Sequence, residues 1–162
     1  MLLSEQAYKD IDKEISKFPI DKKQSAIIAA LAIAQKEKNW LSNEIIEEVA
    51  NYLNIPAIKA QEIATFYNMF NTLPVGKYKI SICTNLPCAL RGSKQVANYI
   101  CKRLNTKFKE ITKDNKFSVI ETECMGACGD APVILINNQN MHIKMTEEKI
   151  DSLLNKLDQD EA

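Results

Sequence analysis

From Ser4 to Phe70 apolar residues recur every three or four positions, the period of helices that each bury one face. Ser4 can cap a first helix reaching Lys17, and Phe18-Pro19 closes it, because proline pushes its predecessor out of helical backbone. Asp21 is placed to cap a second helix that turns Ile27, Ile28, Leu31 and Ala34 inward and ends at Asn39, a residue that tolerates the left-handed conformation. Trp40-Leu41 anchors the next turn, and Ser42 caps a third helix with Ile45, Ile46, Val49 and Leu53 on its buried face. Pro56 fits the first turn of a fourth, running through Ile58, Ile63, Phe66, Tyr67 and Phe70, whose aromatic residues are expected in the core, with partner contact as the second reading.

The period changes at Leu73-Pro74-Val75-Gly76. Tyr78, Ile80 and Ile82 alternate with Lys77, Lys79 and Ser81, the signature of a half-buried strand that delivers Cys83 at its end. A helix capped near Ser93 carries Val96, Ala97, Ile100, Cys101 and Leu104 on one side. Phe117, Val119 and Ile120 predict a second strand ending at Cys124. Pro132 starts a third, Val133 to Ile136, and Asn137 to Asn140 turns into a fourth, Met141 to Met145. Thr146 caps a last helix with Ile150, Leu153, Leu154 and Leu157 inward. The expected architecture is α+β: a helical domain over residues 1–74, then a domain over 75–162 in which one sheet of about four strands is backed by two helices.

With 46% hydrophobic residues the chain has enough apolar material for a real core. Lys plus Arg equals Asp plus Glu at 21 each, so no net field draws it to nucleic acid or an anionic membrane. The start lacks the basic and apolar regions of a secretory signal, and the longest apolar run, Ala26 to Ala34, is far below the roughly 20 residues that span a bilayer. The expectation is a soluble intracellular protein. No glycine-rich phosphate loop occurs, which argues against direct binding of NADH or flavin by that route. The acidic stretch Glu44 to Glu48 reads as a solvated helix face.

Four of the five cysteines form two pairs, Cys83-x4-Cys88 and Cys124-x3-Cys128, each just after a strand-like run. Four thiolates select zinc or the irons of an iron-sulfur cluster, because hard cations gain little from sulfur. A [2Fe-2S] cluster, with Cys83 and Cys88 on one iron and Cys124 and Cys128 on the other, is the leading reading. Zinc, which more often uses C-x2-C knuckles, stays open beside it, and a disulfide framework is the poorer choice for an odd number of cysteines. The second loop also holds Gly126 and Gly129, which let backbone N–H groups approach sulfur. Cys101 falls on an apolar stripe and reads as a small buried hydrophobe; His142, the single histidine, reads as a surface or packing residue.

Several stretches together resemble one family, the [2Fe-2S] subunits of the NADH dehydrogenase module of respiratory complex I, with a thioredoxin-like ferredoxin domain. They are Ala64-Thr65-Phe66-Tyr67-Asn68-Met69-Phe70, Val75-Gly76-Lys77-Tyr78, Cys83-Thr84-Asn85-Leu86-Pro87-Cys88 with Arg91-Gly92, and Glu123-Cys124-Met125-Gly126-Ala127-Cys128 with Ala131-Pro132. The sequence departs where Met125 replaces the usual leucine and Asn39 a frequent glycine, neither of which touches a ligand position. The resemblance implies that Cys83, Cys88, Cys124 and Cys128 hold one [2Fe-2S] cluster, and that there is no complete active site on this chain. It implies that NADH and FMN sit on a partner flavoprotein subunit, with which the cluster exchanges single electrons. It further implies a cytoplasmic location, peripheral to the inner membrane through the complex. Similar chains serve NAD-linked hydrogenases and formate dehydrogenases, so these hosts remain alternatives, and the helical domain is the candidate for docking to the flavoprotein.

Overall fold

The computed structural model describes residues 1–159, which form seven α-helices and one four-stranded sheet. They fall into two units, Met1–Pro74 and the described residues from Val75 onward, each with its own apolar core.

The first unit contains α1 (Glu5–Ile15), α2 (Ile27–Lys38), α3 (Asn43–Tyr52) and α4 (Ala57–Phe66). The hydroxyl of Ser4 accepts the N–H of Ala7 and that of Ser42 accepts the N–H of Ile45, satisfying helix-start donors that have no partner within their helix. Ile11, Leu31, Leu41, Ile46 and Leu53 fill the core between Ala30, Ala34, Ala50, Ala60 and Ala64, whose small side chains let the helices approach. Burying each large aliphatic side chain contributes roughly 1.5–3 kcal/mol.

Four expectations are corrected in this unit. Asp21 does not cap α2: residues Ile20–Ala26 form a 3-10 segment interrupted at Lys22 (φ −118°, ψ 28°), and α2 starts only after Ala26. Ala30 is buried on α2, whereas Ile28 is 37% exposed. The fourth helix stops at Phe66, because Tyr67 is extended (φ −90°, ψ 119°); Phe66 and Ile58 face outward while Ala60, Ala64 and, beyond the helix, Phe70 are buried. Glu48 is also not merely solvated: its carboxylate accepts the N–H groups of Leu2 and Leu3 and the hydroxyl of Tyr8, tying the chain's start to α3.

The second unit runs β1 (Tyr78–Cys83), α5 (Leu86–Leu90), α6 (Ser93–Arg103), β2 (Phe117–Thr122), β3 (Ile134–Ile136), β4 (Asn140–His142) and α7 (Glu147–Gln159). Sheet order is β2-β1-β3-β4, with β1 parallel to β2 and antiparallel to β3. One sheet face, with Ile80, Ile82, Val119, Ile134 and Ile136, packs on Val96 and Ile100 of α6 and on Ile150 and Leu154 of α7. Gly76 allows the chain to enter β1 against β2: a Cβ there would stand 2.6 Å from the carbonyl carbon of Phe117.

The short α5 is a helix beyond the expected two. Ser93 is the first residue of α6, not its cap; Gly92 holds that position with φ 90°. β2 ends at Thr122, two residues short of Cys124, and β3 begins at Ile134 rather than after Pro132. β4 is cut short by the positive φ of Lys144 (50°), which a continuing strand cannot adopt. Thr146 does cap α7, its hydroxyl accepting the N–H of Lys149. The largest difference concerns the second sheet face. Alternation suggested that Lys79 and Ser81 face water, yet each is 2% exposed.

Candidate metal centre

Parallel pairing is what brings the cysteine loops together. Cys83 at the end of β1 lies opposite Thr122 at the end of β2, so both strands release their following loops at the same end of the sheet. The N–H of Thr84 donates to the carbonyl of Thr122 at 3.4 Å, and that of Cys83 to the carbonyl of Val133 at 3.3 Å, fixing the first loop between its neighbours. α5 then turns Cys88 inward and leaves Leu86 and Leu90 exposed on either side of it. Arg91 Nε donates to the carbonyl of Ala131 at 3.2 Å; Ala131 packs with Cys83 and Cys88, and Met125 of the second loop packs on the same cluster.

In the second loop Sγ of Cys124 and Sγ of Cys128 are 3.4 Å apart. Gly126, at φ 79°, turns its N–H to Cys124 Sγ at 3.4 Å. All five cysteines are free thiols; Cys83 and Cys88 are buried, Cys128 half-buried and Cys124 exposed. Burial pushes the Cys88 thiol up to about 11, helped by its hydrogen bond with Cys83 and by negative charge on Cys83 and Cys128. The Gly126 N–H, followed by Cys128, holds Cys124 below its ordinary value, while the hydrogen bond and charge of Cys124 raise Cys128. Cys128 thus interacts with both thiols of the first loop. The expected ligand positions share one neighbourhood.

The donor set tests which metal group these thiols could hold. Among the described residues no three His, Cys, Asp or Glu side chains converge on one point. The thiols come as two pairs, and two thiolates on each of two irons is what a binuclear cluster takes. The backbone N–H of Gly126, directed at sulfur, fits the same group.

Cys101 stands apart from the site, partly buried against the sheet core with its thiol raised by burial and by Glu121. His142 closes β4 and lines a groove of about 480 Å³ with Ile143, Leu153 and Lys156. Burial and Lys156 lower its imidazole. Reading for cysteine spacing missed the wall made by Ala131, Val133 and Arg91; the available signal was the Ala131-Pro132 and Arg91-Gly92 dipeptides, which carry no ligand atoms.

Residues 11–158 match the family model of the thioredoxin-like [2Fe-2S] ferredoxins, and the chain belongs to that family. Within it, the chain is 46% identical over 147 residues to the E subunit of NADH-quinone oxidoreductase from Rickettsia bellii, spanning 90% of this chain and 87% of that one. The corresponding protein of Rickettsia typhi is likewise 46% identical, over 88% of this chain and 86% of its own. Among solved structures, an NAD+-reducing [NiFe]-hydrogenase in the air-oxidized state superposes with a TM-score of 0.69 at 23% identity, covering 82% of this chain but only 23% of the hydrogenase chain. That likeness is one of fold.

Proposed function

We propose that this chain is the electron-transfer subunit of an NADH-quinone oxidoreductase and holds one [2Fe-2S] cluster on Cys83, Cys88, Cys124 and Cys128. The observation that carries the ligand assignment is the parallel β1–β2 pair, which sets both cysteine loops at one end of the sheet as two pairs of thiols. Similarity to the two Rickettsia proteins over most of both lengths supports the host complex. When bound, a [2Fe-2S] cluster supplies a one-electron couple, which suits it to exchange with a flavin that works in steps of one or two.

The residues of this chain supply the environment. Cys83 and Cys88 are the buried ligands, and Ala131 and Met125 pack around them, keeping water from that side. Gly126 directs an N–H at Cys124 sulfur. Such a donor offsets negative charge on sulfur, while four thiolates in a partly buried setting disfavour the addition of more, so the potential is expected to be low. Cys124 is the exposed edge through which a partner could be reached.

FMN and NADH belong to a partner flavoprotein in this reading. The helical unit, which offers Phe66, Tyr67 and Met69 to solvent, is assigned to docking; deletion of residues 1–74 should abolish partner binding. Among the described residues no helix is long and apolar enough to cross a membrane, so attachment to the inner membrane would run through the complex. The test is EPR of the dithionite-reduced chain beside an assay of iron, sulfide and zinc. A rhombic one-electron signal with two irons and two sulfides per chain is expected. Stoichiometric zinc in protein purified without oxygen, with no signal, would overturn the reading. Copurification with a nickel-iron or molybdenum subunit would instead move the chain to another host.

A further inference from the structure

We propose that the cluster-free chain closes a disulfide between Cys124 and Cys128, so that the second loop is a thiol-oxidation site that must be reduced before the centre is filled. The role in filling rests on the cluster assignment above; the bond itself rests on the geometry of the loop.

Three observations select this pair. Cys124 Sγ and Cys128 Sγ stand 3.4 Å apart, so they have to approach by only about 1.4 Å to reach the length of a sulfur–sulfur bond. The loop has room for that movement, since a Cβ built on Gly126 or Gly129 would meet no atom within 4 Å. Access then separates the two pairs: Cys124 is exposed and Cys128 half-buried, whereas Cys83 and Cys88 are each 2% exposed. A bulky oxidant therefore reaches the second loop and not the first. Cys101 packs against the sheet core, away from both.

The oxidant is a small disulfide such as oxidised glutathione. The Cys124 thiolate attacks one of its sulfurs; a bond forms between them, the old sulfur–sulfur bond breaks, and one glutathione leaves as a thiolate. The Cys128 thiolate then attacks the Cys124 sulfur, forming the internal bond and releasing the second glutathione. Two electrons pass from the cysteines to the oxidant, and their two protons end on the two glutathione thiols. Three residues separate the cysteines, so the second step is intramolecular and outruns attack by a thiol from solution. Metal ligation requires thiolates, so the bond removes both ligands of the second loop at once and leaves the buried pair intact.

The experiment uses the full chain, stripped of iron by a chelator with dithiothreitol, desalted without oxygen and incubated with oxidised glutathione. Remaining thiols are blocked with N-ethylmaleimide in denaturant before digestion with trypsin. Cleavage after Lys79, Arg91, Lys94, Lys102, Lys116 and Lys144 puts Cys83 with Cys88, Cys101 alone, and Cys124 with Cys128 in separate peptides, so each pairing has its own mass. The chain should lose two of its five blockable thiols, both from the peptide of Cys124 and Cys128. It should then take up no iron from ferrous ion and sulfide until dithiothreitol is added. Cys128→Ser should stop after the first step and keep one glutathione on Cys124. Five blocked thiols, a bond at Cys83–Cys88 or between the loops, or glutathione retained on wild-type Cys124 would overturn the proposal. A bonded chain that loads iron as well as the reduced one would overturn the role in filling. A reduced chain that takes up zinc but no iron and sulfide would instead sink the cluster assignment and leave the mapped bond standing.

Discussion

The loop of Cys83 and Cys88 leaves the interior strand β1 and returns at once into α5, whereas the loop of Cys124 and Cys128 follows the terminal strand β2 and carries only the short 3-10 turn Cys128–Asp130. The first pair is buried and shares its packing with Ala131; the second is partly open to solvent, with Gly126 at positive φ. Four chemically identical side chains are therefore held by two kinds of structure. The first loop is continuous with the core, so changes near it disturb fold and site together. The second can be altered with far less effect on the fold.

The sharpest break of this comparison is removal of one thiol from each loop. Cys83→Ala and Cys124→Ala should each abolish iron loading, since either leaves an iron one ligand short. Urea denaturation of the metal-free variants should separate them: Cys83→Ala loses about 1–2 kcal/mol for its buried side chain, while Cys124→Ala keeps the wild-type midpoint. Equal losses would remove the proposed asymmetry.

Gly76→Ala should cost more stability than any other single change considered, about 3 kcal/mol or more. Its Cβ would strike backbone of Phe117 at 2.6 Å and push β1 from β2, the pair that aligns the cysteine loops. Denaturation should show the loss, and iron loading should fall with it. Gly126→Ala meets no atom within 4 Å, so only its left-handed backbone opposes the change, at about 1–2 kcal/mol. Loading should then weaken with little change in the stability of the sheet.

The smallest effect belongs to the helical unit and should leave the centre alone. Burial pushes the Glu48 carboxyl up, but the Tyr8 hydroxyl and the N–H groups of Leu2 and Leu3 outweigh it and hold the group below its ordinary value. The folded protein thus takes up this proton less readily than the unfolded chain does. Its contribution is present above the ordinary carboxylate range and is lost as pH falls through the lowered value. Tyr8→Phe should cost about 1 kcal/mol at pH 7, and the gap to wild type should narrow in acid, as followed by thermal melting. Iron content should not change.

Much of the fold was legible because local rules act locally. Ser4, Ser42 and Thr146 cap as their types suggest, Asn39 ends α2 with φ 70°, and the Ile80–Ile82 alternation marks β1. The expectations that failed concern what lies opposite a residue. Phe66 has the spacing of a core aromatic and is exposed, because α4 ends there and the alanines take the inward face. Lys79 has the spacing of a solvent-facing residue and is buried, because alternation reports which residues share a face and not whether that face is covered.

The same division holds for the centre. Chain order alone determined that two cysteine pairs each follow a strand, since thiol chemistry and periodicity are properties of residue types and their intervals. That β1 and β2 run parallel, that Cys124 stays open while Cys83 is enclosed, and that a lysine is buried on the face of a ligand were decided only by tertiary structure. Strand pairing and burial depend on residues distant along the chain.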